Sequence, residues 1–289
     1  MPSTSPRAGL LVLLALCLLA LVSCGRASVP VLQTPLAAGV VWQPHGGNSN
    51  PRGAWDRLGV QNLLVQWSVV DDIAFVADSG LSQTPILPDW PRISREPWAQ
   101  RVILGLAGRF DETAARNSAL DLSILSARLA RLPTALHVEG WYFPVEFDPT
   151  WKDASQLRAA LANLPRPLWV SVYDNANLGA PNLVSTLAAW LPDDVGILFQ
   201  DGVGVHARDA RTARDYVDTL ATRFGAQRVR VIAEVFRPQG GGGFRAATAD
   251  EILPQLAHYQ GLTVYLFDGP TYLSDALVDD LVNRASASP

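Results

Sequence analysis

Short apolar stretches recur at intervals along the chain, and they are rich in Val, Ile, Leu and aromatic residues. Runs of this length and composition are typical of strands that are buried on both faces of a sheet. Such runs occur at positions 40–44, 62–70, 101–108, 135–143, 167–174, 194–201, 228–236 and 262–268.

The segments between several of these runs carry apolar residues at helical spacing. They lie at 111–132, 148–164, 181–191, 210–225 and 248–261, whereas 71–100 is a long loop. Asp111 and Asp148 are predicted to cap the first two helices, and Gly225 is predicted to end the fourth.

Strand–helix alternation predicts parallel strands that are joined by right-handed crossovers. Eight such units in about 250 residues predict an α/β fold, a single (β/α)8 TIM barrel. A doubly wound open sheet is the alternative, but no G-x-G-x-x-G motif follows the first strand to support it.

The N-terminus predicts export. Residues 8–22 form an apolar run behind Arg7, which is the pattern of a secretion signal. The run is shorter than the ~20 apolar residues that a membrane-spanning helix needs. It ends in Leu-Val-Ser-Cys-Gly at 21–25, which resembles a bacterial lipobox.

This lipobox resemblance implies that Cys24 is the lipidated first residue of the mature protein and anchors it to a membrane. An ordinary signal peptide with an incidental cysteine is the alternative. Gly25 stands where an Asp would favour the inner membrane, so we expect the outer membrane, facing the periplasm. The predicted organisation is a signal peptide over 1–23, a tether over 24–37 and the barrel over 38–289.

Composition excludes several function classes. The net charge of −4 gives no basic footprint for nucleic acid. Once the signal is removed, the mature domain has no free thiol, so neither a cysteine nucleophile nor a disulfide is expected. The four histidines lack metal-ligand spacing, and no metal or cofactor is predicted. Because no G-x-S-x-G elbow is present, an envelope esterase or deacetylase has less support.

Polar and aromatic residues gather at the carboxyl ends of the predicted strands, which form the working face of a TIM barrel. The candidates for substrate binding there are Trp42, Gln43, Gln66, Trp67, Glu139, Trp141, Tyr142, Tyr173, Gln200 and Asp268. Acids and amides suit sugar hydroxyls, and indole rings suit the flat C–H faces of sugars. This composition therefore predicts a polysaccharide or oligosaccharide as partner.

The stretch GWYFPVEFDPTW at 140–151 places Glu146 among aromatic residues. Burial beside such rings disfavours the charged carboxylate, so the acid stays protonated nearer to neutral pH. Cleavage of a glycosidic bond requires two carboxyl groups, one of which must donate a proton. Asp201 can bind hydroxyls or serve as the second carboxylate.

Four segments, VVWQP, GWYFPVEFD, QDGVGV and AEVF, resemble a bacterial family of TIM-barrel, glycoside-hydrolase-like exported proteins that is catalogued as a domain of unknown function. The resemblance covers roughly residues 36–275 and implies a carbohydrate-active barrel. Retaining barrel glycosidases carry an acid/base after strand 4 and a nucleophile at strand 7. The resemblance thus implies Glu146 or Glu139 as acid/base and Glu234 as nucleophile.

Glu146 is the preferred acid because it is predicted to lie in the loop beyond strand 4, from where it reaches over the mouth. Glu139 is predicted to lie within the barrel. The sequence also lacks the Asn-Glu pair that such enzymes usually show at strand 4. Two functions therefore stay open: a lipid-anchored glycosidase that acts on an exported or cell-envelope polysaccharide, or a non-catalytic lipoprotein that binds polysaccharide during assembly.

Overall fold

The structure, a computed structural model, describes residue 32 and residues 34–287. The predicted signal peptide and Cys24 lie outside the described residues. Within them, eight parallel strands form a closed barrel, which confirms the predicted TIM barrel. In chain order the strands are β1 Gly39–Trp42, β2 Asn62–Val65, β3 Arg101–Gly105, β4 Val138–Phe147, β5 Leu168–Val172, β6 Val195–Gln200, β7 Val229–Glu234 and β8 Val264–Phe267.

Each barrel strand pairs with the next one in the sequence, and β8 closes the ring against β1 through Gly39–Tyr265 and Val40–Leu266. Shorter strands extend from the carboxyl-end loops. A four-stranded sheet contains Val69–Val70, Ile73–Ala74, Ser82–Gln83 and Ala107–Gly108, and an antiparallel pair after β7 joins Phe236–Pro238 to Phe244–Ala246.

Helices and 3-10 turns surround the barrel. The helices are α1 Trp90–Ile93, α2 Glu112–Asn117, α3 Ala119–Leu129, α4 Gln156–Ala162, α5 Ala180–Trp190, α6 Ala210–Phe224, α7 Ala249–Ala257, α8 Gly269–Tyr272 and α9 Asp275–Ala287; the 3-10 turns are Trp55–Leu58, Pro97–Ala99 and Ala226–Arg228. Asp111 caps α2 by accepting the Ala114 N–H at 2.7 Å, and Gly225 ends α6, as predicted.

Two layers of apolar side chains fill the fold. The lumen holds one residue from each strand: Val41, Leu64, Ile103, Tyr142, Trp169, Leu198, Ile232 and Tyr265. A larger outer layer fills the space between strands and helices. Because successive side chains of a strand point to opposite faces, the lumen residues also identify which neighbours face the barrel mouth.

Strand β4 is longer than predicted and is irregular. Phe143 pairs with Val170, but the next pair is Phe147 with Val172, so residues 144–146 stand opposite Ser171 alone. Pro144 cannot donate a ladder hydrogen bond, and proline within sheets is found at such bulges. Glu146 therefore lies in the strand, not in the loop where the sequence placed it.

Two helix boundaries also differ from prediction. The helix predicted over 111–132 is two helices, because it is interrupted at Ser118. Asp148 caps no helix: it accepts the backbone N–H groups of Thr150 at 2.8 Å and Asn175 at 3.1 Å, and α4 begins only at Gln156. Asp148 instead fixes the loop after β4 to the loop after β5. No helix in the described part of the chain has the length and hydropathy to cross a bilayer.

Candidate active site

The carboxyl ends of β4, β6 and β7 bring three polar side chains to one mouth. Gln200 and Glu234 each lie two residues beyond a lumen residue, Leu198 and Ile232, and therefore face the lumen. The bulge in β4 brings Glu146 to the same place, where the Gln200 side-chain amide donates a hydrogen bond to its carboxyl oxygen Oε2. This hydrogen bond joins one predicted catalytic residue, Glu146, to one predicted binding residue, Gln200.

Tyr173, at the end of β5, lies close to both glutamates. Burial and the negative charges of Glu234 and Glu146 raise the pKa of its phenol to about 12. Its hydroxyl is buried, and no hydrogen-bond partner for it is found among the described residues. The Tyr173 hydroxyl is therefore a buried polar group without a partner, near both glutamates.

Glu146 is held by a short helix that sequence reasoning did not associate with the site. Its backbone N–H donates to Glu112 Oε2 at 3.3 Å, and Arg116 Nε donates to its carbonyl oxygen at 3.0 Å. The Arg116 guanidinium also lies 3.9 Å from Glu146 Oε1. Glu112 and Arg116 are one turn apart on α2, so one helix face contacts the candidate acid.

The environment of Glu146 favours its protonated form. Burial and the neighbouring Glu112 charge raise its pKa to about 8, against the opposing effects of Arg116 and Gln200. Burial also raises the pKa of Glu112. The Glu146 side chain is still 15% exposed, so a substrate oxygen can approach it.

Glu234 has a different environment. Burial and the negative charge of Asp201 raise its pKa to about 7. The Val205 N–H donates to Oε2 at 3.1 Å, a hydrogen bond that favours the carboxylate. The loop after β6 passes close over this group, because a Cβ on Gly204 would lie 2.9 Å from the same oxygen.

Asp201, the third predicted catalytic residue, does not face the mouth. It is fully buried behind the strand ends, where Oδ2 accepts Gln255 Nε2 at 2.6 Å and the Tyr259 hydroxyl at 2.9 Å. Its Oδ1 accepts the backbone N–H groups of Val203 and Glu234, both at 3.1 Å. Burial raises its pKa. Asp201 therefore positions the Glu234 backbone and fastens it to α7.

Arg208 was missed by sequence reasoning, because nothing in the run GVGVHARD distinguishes it from a surface arginine. It is only 8% exposed and donates to the carbonyl oxygen of Asp201 at 3.0 Å and to that of Asp174. Its guanidinium lies 5.2 Å from the Tyr173 ring centroid. Arg208 therefore links the carboxyl ends of β5 and β6 beneath the mouth.

Four predicted binding residues lie at or below the mouth. Gln66 lies beside the Tyr142 phenol, which faces the lumen deeper in the barrel and donates to Ser171 at 2.8 Å. The Gln43 N–H donates to Asp268 at 3.3 Å. Asp268 also accepts from Thr271 at 2.6 Å, and burial raises its pKa to about 6. Asp268 thus has a structural role at the start of α8.

Three other predictions were wrong about position. Trp42 and Trp141 point out of the barrel into the outer layer, since their neighbours Val41 and Tyr142 occupy the lumen. Trp42 packs against Trp90 at 5.6 Å between ring centroids. Glu139 lies at the amino end of β4, 3.9 Å from Arg101, and is far from the mouth. Trp67 remains at the carboxyl end, with its indole donating to the Pro44 carbonyl at 2.8 Å.

Two cavities lie away from the carboxyl groups. One of about 220 Å³ lies outside the barrel wall and is lined by Trp90, Trp141 and leucines. Another of about 160 Å³ lies at the amino end, between Arg101, Glu139 and Arg230. No group of three or more His, Cys, Asp or Glu side chains within residues 34–287 is arranged to hold a metal.

Solved structures with a similar fold include two that are named for activity on sugars. A candidate α-L-fucosidase from Bacteroides thetaiotaomicron VPI-5482 is 12% identical with a TM-score of 0.54, over 88% of this chain and 98% of that one. A chitinase from Chromobacterium violaceum ATCC 12472 is also 12% identical, with a TM-score of 0.48, over 88% of this chain and all of the other.

No protein-family model and no curated protein matches the chain. The resemblance to a domain-of-unknown-function family therefore stays a prediction. The likeness to the candidate fucosidase supports the fold alone at this level of identity. The chain has a TIM barrel whose fold is similar to that of the candidate fucosidase.

Proposed function

We propose that the protein is a glycoside hydrolase in which Glu146 is the general acid and Glu234 is the nucleophile or general base. The observation that carries this proposal is a pair of carboxyl groups at one barrel mouth, each with its pKa raised to near neutrality by burial and by a different acidic neighbour. Glycosidic cleavage needs this division of labour between two carboxyl groups.

Glu146 is suited to donate a proton. With a pKa of about 8, it is largely protonated at neutral pH. It transfers this proton to the oxygen of the leaving sugar as the glycosidic bond breaks. The Gln200 amide, which donates to Oε2, fixes the rotation of the carboxyl group and leaves Oε1 to carry the proton.

Glu234 is suited to act on the anomeric carbon. Its pKa of about 7 makes a large fraction ionised at pH 7.5, and the Val205 N–H stabilises that carboxylate. The carboxylate either attacks the anomeric carbon or removes a proton from an attacking water.

We further propose that the substrate is an exported or cell-envelope polysaccharide, and that the protein reaches it as a lipoprotein anchored through Cys24. The signal pattern and the lipobox-like residues 21–25 support this location. Metabolic labelling with an alkyne fatty acid tests it: label should be incorporated by the parent chain and not by Cys24→Ser. Labelling of both to the same extent would contradict the anchor.

The catalytic proposal is tested by screening the purified protein on bacterial exopolysaccharides and aryl glycosides, with product analysis by mass spectrometry. We expect product from the parent and loss of product from Glu146→Gln and Glu234→Gln. Glu139→Gln is the matched control, since this strand-4 glutamate is 45% exposed at the opposite end of the barrel. Equal loss in Glu139→Gln would contradict the assignment of Glu146.

A non-catalytic polysaccharide-binding protein is the second candidate. It is favoured by the near-complete burial of Glu234, which is 5% exposed beneath the loop after β6. This function predicts that glycan binding survives both glutamine substitutions and that the parent turns over no substrate. Turnover by the parent would eliminate it.

A further inference from the structure

Large apolar side chains are exposed mainly around the barrel mouth. Of the eight such residues in the described part of the chain, six lie in loops that follow strand carboxyl ends: Ile73, Ile86, Phe110, Leu178, Val205 and Phe244. The other two, Leu120 and Ile124, lie on the outer helix α3. Single exposed apolar residues are ordinary, but a concentration around one site indicates a binding surface.

Two of these residues are aromatic, and each is held by a more buried ring. Phe110 is 72% exposed and contacts Trp67 edge-on at 6.3 Å between ring centroids. Phe244 is 44% exposed and contacts Phe236 edge-on at 4.7 Å, while Phe236 packs on Tyr272 at 5.1 Å. A ring that is fixed by an aromatic neighbour and open to solvent offers a face on which a ligand can stack.

The two aromatic pairs follow strands on opposite sides of the ring. Trp67 and Phe110 follow β2 and β3, whereas Phe236 and Phe244 follow β7. Each pair is also next to one of the two glutamates. Phe110 precedes Glu112, which contacts Glu146, and Phe236 follows Glu234 by two residues. A ligand that covers both carboxyl groups therefore meets an aromatic surface beyond each of them.

The charges beside these pairs are already neutralised. Arg109, next to Phe110, forms an ion pair with Asp72 at 2.7 Å. Arg245, next to Phe244, forms one with Glu251 at 2.7 Å. Neither guanidinium is left to bind an acidic sugar, so the flanking surfaces suit uncharged pyranose rings.

We propose that the mouth binds an internal segment of a neutral polysaccharide, with Phe110 stacking on the chain at one side of the cleaved linkage and Phe244 stacking at the other. The inference rests on the proposed saccharide site and specifies its substrate class and its endo mode of action. An enzyme that acts on chain ends needs only one such surface, because the other side of its site is closed.

Binding can be measured without turnover in the Glu146→Gln background. Retardation in native gels that contain laminarin, galactomannan, hydroxyethyl cellulose or dextran gives the affinity, and alginate serves as the acidic polymer. We expect Phe110→Ala and Phe244→Ala each to weaken retention by one neutral polymer about three- to tenfold. Phe110→Trp and Phe244→Trp, which keep an aromatic ring at each position, should retain the binding that the alanine variants lose. Ile124→Ala is the control, because it removes an equally exposed apolar side chain from α3.

Chain length provides a second measurement. Oligosaccharides of the bound polymer should bind more tightly as they lengthen, until they are long enough to cover both aromatic pairs. Phe110→Ala and Phe244→Ala should each reduce this gain in affinity. Equal affinity for a disaccharide and an octasaccharide, or an effect of only one phenylalanine, would overturn the proposal. Stronger retention by alginate, or no retention by any polymer, would also overturn it.

Two further outcomes separate this inference from its alternatives. If the variants change sedimentation of the protein alone and leave glycan binding intact, the rim is a contact between copies of the chain and the proposal fails. If the parent turns over no glycan while both phenylalanine variants weaken binding, the catalytic proposal fails and the binding inference stands.

Discussion

The two ends of the barrel differ in how their charged groups are compensated. At the amino end, the Arg230 guanidinium lies 3.8 Å from the Trp169 ring centroid and donates to the Tyr265 hydroxyl at 2.8 Å. Arg101 donates to Asn62 at 3.0 Å and lies 3.9 Å from Glu139. Each of these charges meets an opposite charge, an amide or an aromatic face. Such contacts stabilise the fold and leave no reactive group.

At the carboxyl end, acidic side chains lie next to other acidic side chains. Glu146 lies beside Glu112, and Glu234 lies beside Asp201, so like charges and burial together hold the pKa values near neutrality. Arg116, at 3.9 Å from Glu146 Oε1, and Arg208, near Glu234, oppose these shifts only in part. Groups that are kept from their preferred ionisation cost stability and gain reactivity. This difference is the basis for proposing that the carboxyl end carries the chemistry and that the amino end supports the fold.

Substitutions at the two ends of the barrel should differ most in their effect on turnover. Glu146→Gln or Glu234→Gln should lower kcat on the glycan that is cleaved by about 10²–10⁴-fold, because each removes a proton-transfer or nucleophilic group. Arg230→Gln, at the amino end, should leave kcat within about twofold once the protein is folded. Steady-state kinetics with circular dichroism as a folding check measures both. A comparable loss in Arg230→Gln would remove the distinction between the ends.

A smaller difference is expected in stability. Asp201→Ala leaves the side chains of Gln255 and Tyr259 and two backbone N–H groups without their acceptor, which should cost at least about 3 kcal/mol of unfolding free energy. Arg101→Gln removes an exposed ion pair and should cost less than about 1 kcal/mol. Urea denaturation gives both values. Equal costs would mean that Asp201 is not a support of the mouth.

The raised pKa values of Glu146 and Glu234 should make the free energy of unfolding depend on pH. Their pKa values in the folded protein, about 8 and 7, exceed the value of 4.5 that applies to an unfolded chain. Below pH 4.5 both states are protonated, and their contribution to stability is fully present. As pH rises through 7 and 8, the unfolded chain has released protons that the fold retains, so stability falls.

The Glu146→Gln variant should therefore be more stable relative to the parent at pH 8.5 than at pH 5, by on the order of 1–2 kcal/mol. Denaturation curves at the two pH values measure this difference. A constant offset between variant and parent would contradict the raised pKa.

The smallest expected effect is on the alkaline limit of activity. Glu112→Gln removes a negative charge beside Glu146, so the pKa of Glu146 should fall and the high-pH limb should move to lower pH by less than about one unit. Asp121→Asn, an exposed change on α3, is the control. The pH profile of kcat/KM measures the shift, and movement to higher pH would contradict the role of Glu112.

The sequence alone was sufficient for the barrel, because alternating apolar runs and helical segments depend on local patterning. It was also sufficient to place Glu234 at the carboxyl end of β7, since the end of a regular strand can be recognised from the apolar run. It was not sufficient to predict the face of the barrel on which the Trp42 and Trp141 side chains lie. Trp42 ends β1 and Trp141 lies within β4. The face that each side chain occupies depends on strand parity, and the outer partner of Trp42 comes from the distant helix α1.

The surroundings of Glu146 were beyond sequence reasoning for a related reason. Glu112 and Arg116 read as an ordinary pair on a helix surface, and only the break at Ser118 turns their short helix toward β4. The predicted strand ended at residue 143, whereas the chain continues through a bulge to Phe147. Such irregular pairing depends on the neighbouring strand.

The bulge in β4 makes the orientation of the Glu146 side chain depend on the number of residues between it and Phe143. Deleting one residue between Phe143 and Glu146 would invert the alternation and turn the carboxyl group toward the helices. Deleting two would remove the extra residues of the bulge and leave Glu146 opposite Ser171 with its orientation kept. Changes of even length at this point therefore keep the Glu146 carboxyl group facing the mouth, and changes of odd length turn it away.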